Sequence, residues 1–430
     1  MSREILLWEY LSGGGMARNP LPASLLCEGI AMLRAIARDF AGAGFHLTIA
    51  LDHRLLSLRE CLPPSSLIPI TPDEEIRDFL IEQATQVGAF FLIVPEFDNL
   101  LFSYTQMLEK VAKNWGCPSE FIKIFGNKWE TWKFWESRGI NTPQTRELSP
   151  GNAESELLEM LQERNDKIVI KPASGAGAEK TFTCSFTDMQ KPRYASMVMN
   201  YIRGGGFIAQ RFIPGIPCSV NFIAVHKKIH PMCVNDQLVE LYTSPNSPSQ
   251  YLGGISPSQS LLKHHTPEVI ENTLQSVIDS ISPLESGIFG LDFICDGNGS
   301  FHFIEINSRL TTSYVALSQV LSQNPVSVMM QGKPPPLGKI LRKSNQICFY
   351  RKLNLRAGNS LLPNECKHPL LFDAKVLPRV NFACPPLQDS LGNVACFVSI
   401  AGSTCDIIAQ EFKTVQQQLL HQFTKRNSLG

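Results

Sequence analysis

The sequence predicts a mixed α/β and α+β protein. It reads as a Rossmann-like parallel sheet, then two α+β units, then a small β-rich C-terminal piece. Three observations carry this. Apolar strand-sized runs alternate with helix-periodic segments over the first 115 residues, which is the signature of a parallel sheet with crossover helices. From about residue 166 the pattern changes to strands joined by short Gly- and Pro-containing turns. Finally, the stretch from Gly290 to Tyr314, GLDFICDGNGSFHFIEINSRLTTSY, reads as a hairpin around which the rest is organised.

In the first unit, residues 1–115, ILLWEYL (5–11) is a strand followed by Ser12-Gly13-Gly14-Gly15. A helix is expected from about Ser24 to Phe40, where Leu25, Leu26, Ile30, Leu33 and Ile36 share a face, and Gly42 and Gly44 end it. FHLTIAL (45–51) and AFFLIVP (89–95) are strands. Helices are expected over about 73–87 and 100–114. The triple glycine lacks the GxGxxG dinucleotide pattern and is read as a substrate-side loop, with a plain turn as the alternative. Glu28 and the Glu96-Phe97-Asp98 run are candidate site walls, with solvated or capping acids as the plainer reading.

The second unit, residues 116–206, holds the helix KWETWKFWESRG, opened by Asn127-Lys128 and ended by Gly139. KIVIKP follows as a strand ending in Lys171-Pro172, then the flexible run Ala173-Ser174-Gly175-Ala176-Gly177, and TFTC returns. A lysine beside glycines that let backbone amides approach closely suits phosphate oxygens. No GK[ST] follows, so this is not a Walker A loop.

In the third unit, residues 207–330, FIAQRFI (207–213) is a strand and CSVNFIAVHKKIHPMCVNDQLVE continues as antiparallel strands. YLGGISP (251–257) is expected to be a glycine-containing loop, and a helix covers about Pro267 to Ile281. In the hairpin, Asp296-Gly297-Asn298-Gly299 is strong turn chemistry. Alternation places Phe301, Phe303, Glu305 and Asn307 on one face, with Asp292 on the partner strand beside Glu305. Two carboxylates and an amide oxygen converging there are hard ligands suited to Mg²⁺ that also holds phosphate oxygens. A half-exposed hairpin with solvated acids is the alternative. The last unit, residues 331–430, opens with Gly332-Lys333-Pro334-Pro335-Pro336. KVLPRV and NVACFVSIAG are its strands, and a helix from about Thr404 to Phe423 ends it.

Bulk properties narrow the function. The chain has 430 residues, 43% apolar and 18% charged, with 39 basic and 39 acidic side chains. That balance gives no reason to expect a nucleic acid or an anionic membrane as partner. No apolar run is long enough to span a bilayer, and the N-terminus does not read as a signal peptide. Twelve cysteines lack metal-site spacing, so reduced thiols and a cytoplasmic setting are expected. His226, His230, His264 and His265 are read as surface or structural residues.

Lys128, Lys171 with its glycine loop, the FIAQRFIPG strand and Asp292…Glu305-Ile306-Asn307 occur in an order that resembles the ATP-grasp superfamily of carboxylate–amine ligases. The finer match is similar to its tyramine–glutamate ligase branch, used in methanofuran-type cofactor synthesis. LLWEYLSGGG, VPEFDNLL, GNKWETWKF, YLGG-I-S-P and EINSRLTTSY carry that match. The resemblance implies an ATP-grasp fold in which the two α+β subdomains sandwich ATP. Lys128 and Lys171 would contact its phosphates, and Gly175 and Gly177 would cover them. Gln210, Arg211, Phe212 and Ile213 would form the strand whose backbone reads adenine. Asp292, Glu305 and Asn307 would hold Mg²⁺, with Mn²⁺ as the alternative. Arg309 would stabilise charge near the γ-phosphate, and Lys171 would share that catalytic role. Tyr251, Gly253, Gly254, Thr311 and Thr312 would line the substrate side. Trp8, Tyr10, Phe97 and Tyr251 could wall a phenol-bearing substrate, with aromatic core packing as the plainer reading. The implied activity is ADP-forming amide synthesis through an acyl-phosphate, from a small-molecule carboxylate and an amine, in a chain that forms a homodimer. In the branch, glutamate would be joined to tyramine or tyrosine. A non-catalytic ATP-binding sensor and a carboxylase-like enzyme are the alternatives. Two positions depart from the superfamily pattern: Pro217 stands where a ribose-binding glutamate is common, and Arg211 where an acid often follows the glutamine.

Overall fold

The computed structural model describes residues 3–427, except 150, 163–166, 248, 335, 338–345, 357–379 and 392. The first unit is a five-stranded parallel sheet of β1 (Glu4–Glu9), β2 (His46–Asp52), β3 (Ser66–Ile70), β4 (Ala89–Ile93) and β5 (Lys113–Asn114), in the order β3-β2-β1-β4-β5. Helix α1 (Ala23–Gly42) packs one face through Ile30, Leu33 and Phe40 against Ile5 and Leu7. Helices α2 (Ile76–Val87) and α3 (Leu100–Leu108) cover the other through Leu80, Leu101 and Tyr104 against Leu6 and Trp8. Sequence pattern finds β1, β2, β4 and α1. It misses β3, whose Pro69 disguises an edge strand. It also runs α3 six residues too far, into β5.

Two further sheets follow. Helices α4 (Ser119–Phe125) and α5 (Lys128–Glu136) lead into the antiparallel sheet of β6 (Thr145–Leu148), β7 (Lys167–Pro172), β8 (Phe182–Ser185) and β9 (Phe207–Arg211), ordered β6-β9-β7-β8. Helices α6 (Ala153–Gln162), α7 (Phe186–Met189) and α8 (Pro192–Ile202) cover it around Leu157, Ile170 and Phe182. The boundary expected at 206/207 therefore falls after β9, because Val169 and Ile170 of β7 pair with Gln210 and Ala209.

The largest sheet has eight strands. They are β10 (Gly215–Val225), β11 (Lys228–Glu240), β12 (Gln250–Ser256), β13 (Ser286–Asp296), β14 (Phe301–Asn307), β15 (Ile347–Arg356), β16 (Val380–Gln388) and β17 (Asn393–Gly402). Their order is β14-β13-β10-β11-β12-β15-β17-β16. The YLGG segment is thus strand β12 and not a loop. A Cβ on Gly254 would meet Asp236 O at 2.2 Å and Tyr350 Oη at 2.4 Å, so glycine is there to admit the Tyr350 ring. The last strands do not form a separate β-rich extension either. Through β12 and β15 they continue the large sheet. KVLPRV lies almost wholly outside the described residues. Helix α9 (Pro267–Ile281) covers the β10–β13 part of the sheet. Helices α10 (Tyr314–Val320) and α11 (Pro325–Gln331) bind it to α1. Helix α12 (Cys405–Asn427) packs Ile408, Phe412 and Val415 on the outer face of β15 and β17.

Among the described residues no helix is long and apolar enough to cross a membrane, and every cysteine is free, most of them buried.

Candidate active site

The centre of the site is the β13–β14 hairpin. Asp292 pairs with Glu305, but the next pair is Phe293 with Phe303, so Ile304 is an extra residue, a β-bulge. The bulge reverses the alternation. Phe301, Phe303 and Ile306 pack in the core with Phe293, while Glu305 and Asn307 emerge on the opposite face. The expectation that Phe301, Phe303, Glu305 and Asn307 share a face fails for this reason, whereas the Asp292–Glu305 juxtaposition stands.

The expected phosphate lysines meet this carboxylate. Lys171, at the end of β7, is 7% exposed, with its ammonium 3.9 Å from Glu305 Oε2. Lys128 is the first residue of α5, whose N-cap Asn127 accepts hydrogen bonds from the Trp129 and Glu130 amides. Its ammonium lies 3.3 Å from Glu305 Oε2 and donates to Gly175 O at 2.8 Å. Burial pulls the Lys171 ammonium down to about 8, with Glu305 opposing and Lys128 reinforcing that shift. Burial also pushes the Asp292 carboxyl well above the ordinary carboxylate range, and the Glu305 charge adds to it. Burial disfavours ionised Glu305 too, but Lys128 and Lys171 more than offset this and hold it low.

Asp292 accepts a hydrogen bond from Gln237 Nε2 at 3.0 Å and one from Asn307 Nδ2 at 3.1 Å. Gln237, on β11, escapes sequence reasoning because nothing in its local pattern marks it. The oxygens of Asp292 and Glu305, with the amide oxygen of Asn307, are the atoms that would fit a divalent cation. Glu305 Oε2 is buried without a hydrogen bond, ready to take a further electrophile. Among the described residues no three carboxylate, imidazole or thiol side chains converge. The protein thus offers two carboxylates and one amide, a set for a hard ion that completes its shell with phosphate oxygens and water.

The glycine loop reaches this point through Gly175 O, which accepts from Lys128. Gly177 has φ +68°, and Ala178 and Lys180 share left-handed backbone at +60° and +55°. Nothing lies within 4 Å of a Cβ added at Gly177, so the backbone is open to a ligand. The expected adenine strand is more constrained. The Arg211 amide donates to Gln144 O and the Phe212 amide to Lys167 O, both at 2.9 Å, so neither is a free donor for a base. Gln210 is buried, its side chain donating to Thr145 Oγ1. Ile213 follows in the connection to β10.

Arg309 reaches across to the first unit, where its Nε donates to Glu96 Oε2 at 3.0 Å. Glu96 follows β4 and Glu9 ends β1, so both acids stand at the carboxyl ends of the parallel strands, where such sheets bind ligands. Glu9 itself caps the Leu11 and Ser12 amides. On the expected substrate side, Tyr251 is half-buried, its hydroxyl 3.4 Å from that of Tyr350. Thr311 is turned inward to Asn221 and Ser313 instead. Gly253 and Gly254 are filled by the β15 backbone and Tyr350. Trp8 is fully buried, its indole N–H donating to Gly13 O, while Tyr10 and Phe97 stay half-buried in edge contact. Glu28 is neither solvated nor a cap: it is buried against Lys352.

The comparison with known sequences falls on this frame. Residues 125–313 match the ATP-grasp domain and residues 45–122 the pre-ATP-grasp domain. The chain belongs to the ATP-grasp superfamily. A tyramine–L-glutamate ligase of Methanocaldococcus jannaschii is 26% identical over 58% of this chain, a match spanning 66% of that enzyme, just under two thirds. The ligase of the same name from Methanocaldococcus fervens is 27% identical over 73% of this chain and 89% of its own. Among solved structures, N5-carboxyaminoimidazole synthase from Aspergillus clavatus superposes with a TM-score of 0.65, 12% identity and 99% coverage of both chains. An L-amino acid ligase from Bacillus licheniformis gives 0.60, 13% identity, and 97% and 98% coverage. Both show the ATP-grasp fold over nearly the whole chain.

Proposed function

We propose that this protein is an ATP-dependent carboxylate–amine ligase that forms an amide through an acyl-phosphate. The observation that carries the reading is the convergence of Lys128, Lys171, Asp292, Glu305 and Asn307 from four elements, α5, β7, β13 and β14, beside the glycine loop. The substrate carboxylate attacks the γ-phosphate, ADP leaves, and the amine then displaces phosphate. Lys128 and Lys171 bind phosphate oxygens and turn away from Glu305 as they do so. Asp292, Glu305 and Asn307 would hold Mg²⁺, which would neutralise phosphate charge that otherwise repels the incoming carboxylate. Arg309, held by Glu96, faces the charge that develops on the transferred phosphoryl group. The loop around Gly175 and Gly177 closes over the acyl-phosphate and keeps water out.

The names of the matched ligases support glutamate as the carboxylate and tyramine as the amine, and tyrosine is the second amine to try. The test is ADP release with Mg²⁺-ATP and glutamate, with and without each amine, and the mass of the product. Amine-dependent ADP release with an amide of matching mass is expected. Release that requires bicarbonate in place of the carboxylate substrate would replace this reading with a carboxylase. Nucleotide binding with no ADP formed across a panel of carboxylates and amines would replace it with a sensor.

A further inference from the structure

Glu28 on α1 and Lys352 on β15 are separated by 324 residues, yet Glu28 Oε1 and Lys352 Nζ lie 2.5 Å apart. Both are almost fully buried. Isolated buried ion pairs seldom repay their desolvation, so such a pair invites another explanation. The sheet register places it in the cleft rather than in the structural core. Gln237, Gly254 and Tyr350 lie opposite one another across β11, β12 and β15. Gln237 donates to Asp292, so this face of the sheet runs from Asp292 to Tyr350. Tyr350, two residues before Lys352 and on the same face of β15, brings its hydroxyl to 3.4 Å from that of Tyr251 and continues the wall. Among the described residues the Lys352 ammonium makes one hydrogen bond, to Glu28, though it has three donors.

We infer that Glu28 and Lys352 form the recognition site for the zwitterionic head of an amino-acid substrate, Glu28 taking its ammonium and Lys352 its carboxylate. This rests on the ligase reading above and adds to it the substrate's charged head and the two residues that select it. A zwitterion between the two side chains exchanges one ion pair for two and leaves neither charge unmatched. A substrate lacking one of its charges strands a buried partner, which is the strongest form of discrimination that a polar site has. The segment beyond the matched ATP-grasp domain thereby supplies half of the selection.

The test is titration calorimetry on the full chain with L-glutamate, glutarate, which lacks the ammonium, and 4-aminobutyrate, which lacks the α-carboxylate. The wild-type protein is expected to bind both analogues at least about tenfold more weakly than glutamate. Glu28→Gln should weaken glutamate and 4-aminobutyrate and strengthen glutarate, which then strands no carboxylate. Lys352→Met should weaken glutamate and glutarate and strengthen 4-aminobutyrate, which then strands no ammonium. Equal binding of all three by the wild type, or no binding of glutamate, overturns the inference without any variant being needed. Variants that lose stability but keep the wild-type order of ligands also overturn it, leaving the pair a tie between α1 and the large sheet. ADP release is scored separately. Turnover with an unselective head site sinks this inference alone, and a selective head site without turnover sinks the ligase reading alone.

Discussion

Lys128 places its ammonium 3.3 Å from Glu305, on the oxygen that carries no hydrogen bond of its own. On the proposed reading, the lysine stands in for the cation that the carboxylate would hold, and the carboxylate stands in for the phosphate that the lysine would hold. Ligand binding replaces this internal pair with two external ones at little cost in net charge.

Removing either side of that arrangement should stop turnover. Lys171→Met and Glu305→Gln are each expected to lower ADP release at least about 100-fold, the scale of losing one charge-stabilising group. Circular dichroism and thermal melting should show a folded protein in both. Substrate-dependent ADP release at wild-type rates in the two variants would remove the site from this hairpin.

Arg309 and Glu96 should act as a unit. Arg309→Ala is expected to reduce kcat far more than Mg²⁺-ATP affinity. Glu96→Gln should produce a smaller loss of the same kind by freeing the guanidinium. The double variant should then be little worse than Arg309→Ala alone, since neighbours that share one contact are non-additive. Strict additivity in the kinetic double-mutant cycle would show that Glu96 acts independently.

Asp39 offers a pH test away from the chemistry. Burial raises its carboxyl to about 6, with the Tyr314 hydroxyl donating to it at 2.6 Å. Between about pH 4 and 6 the folded state therefore holds more protons than the unfolded one. Its contribution to stability is present below pH 4 and is lost as pH rises through 6. Asp39→Asn keeps an acceptor for Tyr314 and removes the ionisation. It is expected to be more stable than wild type by roughly 2–3 kcal/mol at pH 7.5, with the gap closing near pH 4. Urea denaturation across that range reads the difference, and a constant gap would place the raised carboxyl elsewhere.

The Asn127 cap links stability to the nucleotide. Asn127→Ala should cost about 1 kcal/mol. Because the capped helix begins at Lys128, KM for ATP should rise while that for the carboxylate substrate holds. Unchanged KM for ATP would mean that Lys128 is positioned by its bond to Gly175 alone.

Local signals in the sequence carry particular parts of this structure. DGNG marks a tight hairpin, so Asp292 opposite Glu305 is legible. The bulge at Ile304 is not, because an extra residue in a strand leaves no compositional mark, and so Phe303 is assigned to the wrong face. The glycines of YLGG look like loop chemistry, but what they answer is the ring of Tyr350, almost a hundred residues away. Gln237 and the Glu28–Lys352 pair are illegible for the same reason: each is defined by a partner that only the sheet order brings near. SLIPI reads poorly as a strand because proline is tolerated only at a sheet edge, and edge position is a property of the whole sheet.

The strand order also has a consequence for how the molecule is made. Lys352 sits on β15, and β15 is held between β12 and β17, which ends at Gly402. As the chain emerges from the ribosome, the parallel sheet and the phosphate residues are complete long before this last pairing forms. On the proposed reading, the half of the pocket that would face the organic substrate is finished only when the final strands have been added, so a nascent or truncated protein would meet nucleotide before it could choose what to join.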